Sequence, residues 1–200
     1  MTNWLLRTFI KNSDHPEDPK VRAAVGILSG IVGIFCNILL FGGKLAVGLL
    51  TRSVSITADA MNNLSDATSS VVTMLGFRLA ERPADEEHPF GHARYEYLSG
   101  LAVSALILII GVELAKSSLD KVLHPAAVEF GWTTAAVLAG SILVKLWMSL
   151  FNTKLGKTIH SATLAATAAD SRNDVITTSA VLLAALIEHF TAFRADGWMG

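Results

Sequence analysis

The chain alternates long apolar runs with short polar joints. Ala23 to Gly43 holds no charged residue, and the run continues past Lys44 to Leu50. Ser53 to Phe77 is helix-length but polar on one side, with Asp59 and Asp66 inside it. Leu98 to Leu123 contains the most lipophilic stretch, Ala105 to Val112, and Trp132 to Phe151 is interrupted only by Lys145. His160 to Ile187 begins polar, with Asp170 and Asp174, and ends in the uncharged run Val175 to Ile187. A helix crossing about 30 Å of hydrocarbon needs about 20 mostly apolar residues. The pattern therefore predicts an all-α membrane protein, a transmembrane helix bundle with five spans at about 23–50, 53–80, 96–123, 130–153 and 160–190. No segment sustains the period-two alternation of a barrel strand.

Residues 1–22 precede the first span. Trp4, Leu5, Leu6, Phe9 and Ile10 surround Arg7 and Lys11, and a charged stretch follows. A cleavable signal places its apolar core directly after a basic start, so this segment reads instead as an interfacial helix lying on the membrane or, equally, as a frayed terminus. Nine Lys and Arg residues fall at one set of span ends and four at the other. The richer side marks the cytoplasm, which makes residues 1–22 a cytoplasmic N-terminal segment.

Composition agrees. Charged residues make up 16% of the chain, against about 25% in an average soluble domain, and mean hydropathy is +0.48. A net charge of −1 gives no general attraction for nucleic acid. The single cysteine, Cys36, excludes an internal disulfide framework and any cysteine-based zinc finger.

The chemistry lies in the two polar helices. At 100° per residue, Asp59, Asn62, Asn63 and Asp66 fall within an arc of about 100° on the second helix. Asp170 and Asp174 are one turn apart on the fifth, flanked by Asn173. Ionisable groups inside a span cost about 2.5–3.5 kcal/mol each on insertion scales, so they face a cavity or one another. One reading pairs these carboxylates with Lys44, Lys145 or Arg172. The other bridges three mutually repelling carboxylates by a divalent cation. Oxygen donors suit manganese, magnesium or calcium, whereas imidazole and thiolate favour zinc. Magnesium dehydrates reluctantly, which puts manganese first and leaves iron(II) and zinc as alternatives.

Three motifs carry a family resemblance. Ser53-Val54-Ser55-Ile56 followed by Asp59-Ala60-Met61-Asn62-Asn63-Leu64-Ser65-Asp66 resembles the second helix of the cation diffusion facilitators. His88-Pro89-Phe90-Gly91-His92-Ala93-Arg94-Tyr95-Glu96 is similar to their second-to-third helix connection, and Asp170-Ser171-Arg172-Asn173-Asp174 to their fifth-helix motif. The resemblance runs in order from about Val25 to Gly200. It implies export of a divalent metal from the cytosol, exchanged against protons by a secondary active transporter rather than an enzyme. By position, the implied metal ligands are Asn62, Asp66, Asp170 and Asp174, an oxygen-only set similar to that of the manganese-exporting branch. Because metal ligands must be ionised, carboxylates that trade metal for protons couple the two flows. The resemblance also implies a sixth span, a C-terminal cytoplasmic domain, a homodimer and a place in the bacterial cell membrane. No cofactor is implied; the metal is the cargo, and protons and the lipid bilayer are the other partners.

The same resemblance places a second candidate metal site at Asp85, His88 and His92. The competing reading is an exposed polar loop turned by Gly91. Asp59, one turn outward of Asn62, is a candidate proton relay or access-path residue. Gly26, Gly30 and Gly33 predict close packing of the first helix. Two other function classes remain open from the residues alone: a monovalent cation/proton antiporter, and a non-transporting membrane subunit whose acidic face binds a partner helix.

Overall fold

A computed structural model describes residues 6, 8, 10, 17–51, 54–123 and 131–191. These form five helices: α1 (Pro19–Thr51), α2 (Val54–Ala80), α3 (Arg94–Leu123), α4 (Trp132–Ile159) and α5 (Ala162–Thr191), with no strand among the described residues. At 27 to 33 residues, each is about 40–50 Å long. Arg52, Ser53 and Arg194 lie outside the described residues, as does most of the N-terminal segment.

The ends of the helices follow local chemistry. Asp18 Oδ1 accepts the Lys20 amide at 2.9 Å and Pro19 opens α1, the arrangement a helix N-terminus favours. The helix α4 runs on to Ile159, past the end expected near residue 153. The apolar run stops at Phe151, but Lys154 and Lys157 carry the same helix beyond it. It stops at His160, whose φ of 49° is left-handed, and Ser161 N donates back to Gly156 O at 3.0 Å. Ser161 Oγ then lies 3.4 Å from Leu164 N and caps α5.

Three helices, α1, α3 and α4, are apolar enough to cross a membrane. Large apolar side chains point outward on all five, among them Leu50 (85% exposed), Leu108, Leu143 and Ile176. The interior is comparatively polar: Ser29 donates to Asn152 at 2.7 Å and Ser149 to the Ala168 carbonyl at 2.9 Å. Apolar outside and polar inside is the distribution of an integral membrane protein. The helices α2 and α5 are equally long yet more polar, because their carboxylates meet within the bundle and not in lipid.

Packing is closest between α1 and α2 and between α4 and α5, while α2 and α5 touch only sparsely. A Cβ on Gly30 would stand 2.5 Å from Met74 Cβ and 2.9 Å from its Cα, so only glycine permits this approach of α1 to α2. An apolar core fills one end of the bundle around Val25, Phe77, Phe151 and Leu155. Leu6 and Ile10 are buried in that core, and Ile10 N donates to Leu6 O across one turn. These two described residues pack on the bundle end; of the segment expected to form an interfacial helix, residues 1–5, 7, 9 and 11–16 lie outside the described residues. Burial against Val21 and Val25 removes the apolar surface of Leu6 and Ile10 from water as effectively as lipid would.

The same end is tied by Arg22. Its Nε and Nη2 donate to the two Glu96 oxygens at 2.7 Å each, a bidentate pair. Its Nη1 donates to the Ile159 carbonyl. Ser161 Oγ adds a bond to Glu96 Oε1 at 2.8 Å, and Thr163 Oγ1 one to the Glu96 carbonyl at 2.8 Å. This clasp joins α1, α3 and the α4–α5 turn. Breaking a fully buried ion pair costs about 3–5 kcal/mol. Glu96 is buried, but the Arg22 side chain is 28% exposed, so we expect Glu96→Gln to cost roughly 2 kcal/mol. The check is the thermal unfolding midpoint in detergent, which should fall by several degrees; an unchanged midpoint would show that the clasp adds nothing to stability.

Candidate metal centre

Polar residues are tolerated along α2 because their hydroxyls bond the helix itself. Ser70 donates to the Asp66 carbonyl at 2.9 Å and Thr73 to that of Ser69 at 3.1 Å. With those groups satisfied, Asp66 turns its carboxylate into the bundle, where the residue is only 4% exposed. Asp170 and Asp174 project from α5, one turn apart as the sequence spacing requires. One carboxylate oxygen from each of Asp66, Asp170 and Asp174 lies within 4.8 Å of the others. Bonds of about 2.0–2.6 Å to a hard cation place opposite ligands about 4–5 Å apart, so this spread matches the span of a single coordination sphere. Asn62 is half-buried one turn before Asp66 on α2.

A lysine enters the same cluster. Lys145 Nζ, from α4, donates to Asp66 Oδ2 and to Asp174 Oδ2 at 2.6 Å each. The pairing of carboxylates with lysine and the gathering of three carboxylates thus coexist in one place. Asp59 stands apart, with Lys44 Nζ 2.8 Å from its Oδ2. That is a charge contact without hydrogen-bond alignment, since Oδ2 has no hydrogen-bond partner among the described residues. Asn63, on the same arc, is turned to its own helix and donates to the Asp59 carbonyl at 2.9 Å. Arg172 and Asn173 are exposed.

The second cluster sits in the connection between α2 and α3. Pro89 and the left-handed Gly91, at φ 77°, bend the chain so that no helix forms. The turn still assembles Asp85, His88 and His92, whose ligand atoms lie within 4.8 Å of one another. His88 N donates to Asp85 Oδ1 at 2.6 Å and its Nδ1 is 3.1 Å from the same oxygen. The backbone bond from His88 holds the Asp85 carboxyl below the ordinary carboxylate value. His92 Nδ1 is 3.0 Å from the Pro83 carbonyl, an acceptor only, so the proton resides on Nδ1. The His92 Nε2 faces Asp85 Oδ2, 3.5 Å away.

Sequence reasoning did not find the Arg22 clasp. Its signal was present: a charged residue at the threshold of one apolar run and another, Glu96, at the threshold of a second, both at span ends on the same side. Nor did it single out Lys145 as a bridge, because which of three cations meets which carboxylate depends on helix rotation.

Comparison with known proteins bears on the whole assembly. Residues 30–199 match the cation efflux transmembrane domain. The manganese efflux system protein MneS of Bacillus subtilis (strain 168) is 31% identical over 149 residues, covering 74% of this chain and 51% of that protein. MneP of the same organism, also a manganese efflux system protein, is 26% identical over 158 residues, 78% of this chain and 52% of that protein. An uncharacterized transporter of Methanocaldococcus jannaschii, MJ0449, is 29% identical over 170 residues, 85% of this chain and 60% of that protein. The chain thus spans between half and three-fifths of the length of these relatives. With the family domain covering most of its residues, the chain belongs to the cation efflux family, the cation diffusion facilitators.

Proposed function

We propose that this chain forms the membrane core of a divalent metal exporter, with manganese as the preferred cargo and protons as the exchanged ion. The observation that carries the reading is the convergence of Asp66 with Asp170 and Asp174 from two separate helices in the bundle interior. Asn62 supplies the fourth ligand, a neutral carbonyl. An all-oxygen set favours manganese over softer-ligand metals, and two relatives are named for manganese efflux. Asp59, held by Lys44, belongs to the access path. The Asp85, His88 and His92 turn is a second metal site, supported by the convergence of its three ligand atoms within 4.8 Å. In the cell the N-terminus faces the cytoplasm of a bacterial cell membrane, and the working unit is a homodimer.

Titration calorimetry of the purified chain in detergent tests this reading. Manganese chloride should give saturable binding that Asp66→Ala removes, and sodium chloride should give none. Zinc binding tighter than manganese would move the cargo to zinc, and iron(II) is tested likewise under anaerobic conditions. Sodium binding alone would make the protein a monovalent cation exchanger. Silence with every ion would leave a non-transporting membrane subunit.

A further inference from the structure

Lys145 occupies an unusual place for a lysine. It lies mid-way along α4, one of the three helices apolar enough to span a membrane, and is 3% exposed. A lysine in a span ordinarily snorkels toward the headgroups. This one ends between Asp66 and Asp174, with Nζ 2.6 Å from an oxygen of each. Among the described residues it is therefore the one side chain seen to bridge the α2 carboxylate and an α5 carboxylate, across a pair of helices that otherwise touch sparsely.

We propose, resting on the reading of Asp66, Asp170 and Asp174 as the cargo site, that Lys145 is a tethered counter-cation that competes with the metal for Asp66 and Asp174 and so excludes monovalent ions. The two oxygens that Nζ holds are among the donors a bridging metal needs, and a metal and an ammonium cannot both lie between them. Metal binding displaces the ammonium from those oxygens. Since the side chain stays anchored on α4, its charge remains within the cluster. Once their protons are given up to a metal, three carboxylates and one ammonium carry two net negative charges, the amount that one divalent cation neutralises. With the ammonium charge still in the cluster, a sodium ion would neutralise only one of the two remaining negative charges, whereas a divalent ion neutralises both and gains about twice the Coulomb energy for displacing the ammonium from its two oxygens. When the metal departs, the ammonium returns, and the carboxylates of α2 and α5 are never left facing each other uncompensated.

The test uses the full chain purified in detergent, titrated with manganese chloride at fixed pH in buffer whose only monovalent cation is N-methylglucammonium, then again with added sodium chloride. Lys145→Met should bind manganese about tenfold more tightly than wild type, and added sodium should weaken that binding several-fold while leaving wild type unchanged. Lys145→Arg keeps the charge and should stay within about threefold of wild type. A chelator chase should show slower manganese release from Lys145→Met. If Lys145→Met does not fold, Lys145→Gln carries the same expectations. A purely structural lysine would move none of these readouts in this direction. Manganese binding by either neutral variant that is unchanged or weaker, with sodium without effect, overturns the counter-cation role. Wild type that binds no manganese, or Asp66→Asn that binds as wild type does, overturns the cargo-site reading and this inference with it.

Discussion

Asp66→Ala or Asp174→Ala should abolish manganese-driven proton flux in liposomes made with the complete transporter, to below about 1% of wild type. Each change removes an ionised oxygen ligand from a cluster that has three. The remaining donors are too few to replace the ion's water shell, for which a hard cation asks six or more oxygens. Each also leaves Lys145 with one carboxylate where it now has two. Truncating one partner of a buried charge pair costs about 3–5 kcal/mol, so both variants should lose thermal stability as well. The measurement is internal pH by an entrapped dye after addition of manganese chloride, with folded protein confirmed by size-exclusion profile. Flux near wild type in a folded variant would remove the central site from the mechanism.

The paired change Asn62→Asp with Asp170→His should raise the ratio of zinc to manganese affinity by about tenfold or more. Imidazole is a softer donor that zinc favours in four-coordinate sites. Asn62→Asp restores the anion that Asp170→His removes, so the carboxylate count stays at three and loss of charge cannot explain the change. Asp170 is the carboxylate for which no bond to Lys145 is seen, so its replacement leaves the lysine bridge intact. Competition calorimetry in one buffer gives the ratio for both proteins. An unchanged or lower ratio would mean that these two side chains do not set metal preference.

Much of this was legible in the sequence because membrane helices announce themselves. Five apolar or half-apolar runs became five helices, since a backbone in lipid has to satisfy its own hydrogen bonds. The spacing of Asp170 and Asp174 alone put both carboxylates on one face of α5. What a helical wheel does not contain is the rotation of one helix against another. Asp66 and Asp59 share an arc on α2, yet one meets Lys145 and the other Lys44. That division follows from the glycine-mediated approach of α1 to α2 and from where α4 sits. The loop shows the converse. His88 and His92 have helical ligand spacing, and the chain brings them together without a helix, through the bend at Gly91 and the bonds of Asp85. Leu6 and Ile10 belong to a segment whose apolar residues suit a membrane surface, and both are buried against the bundle. An apolar stripe does not reveal whether lipid or protein covers it.

The clasp of Arg22, Glu96 and Ser161 also makes one end of the bundle a fulcrum. Ser161 sits at the very start of α5, and Asp174 lies thirteen residues further along it, a lever arm of about 20 Å at 1.5 Å per residue. A tilt of α5 of only about 5° about Ser161 would carry Asp174 through roughly 1.7 Å, while Asp170, nine residues out, would move about 1.2 Å. Metal–ligand distances tolerate deviations of only about 0.2 Å. A swing too small to disturb the apolar core at the pinned end is therefore ample to assemble or dismantle a coordination sphere at the far end of the lever.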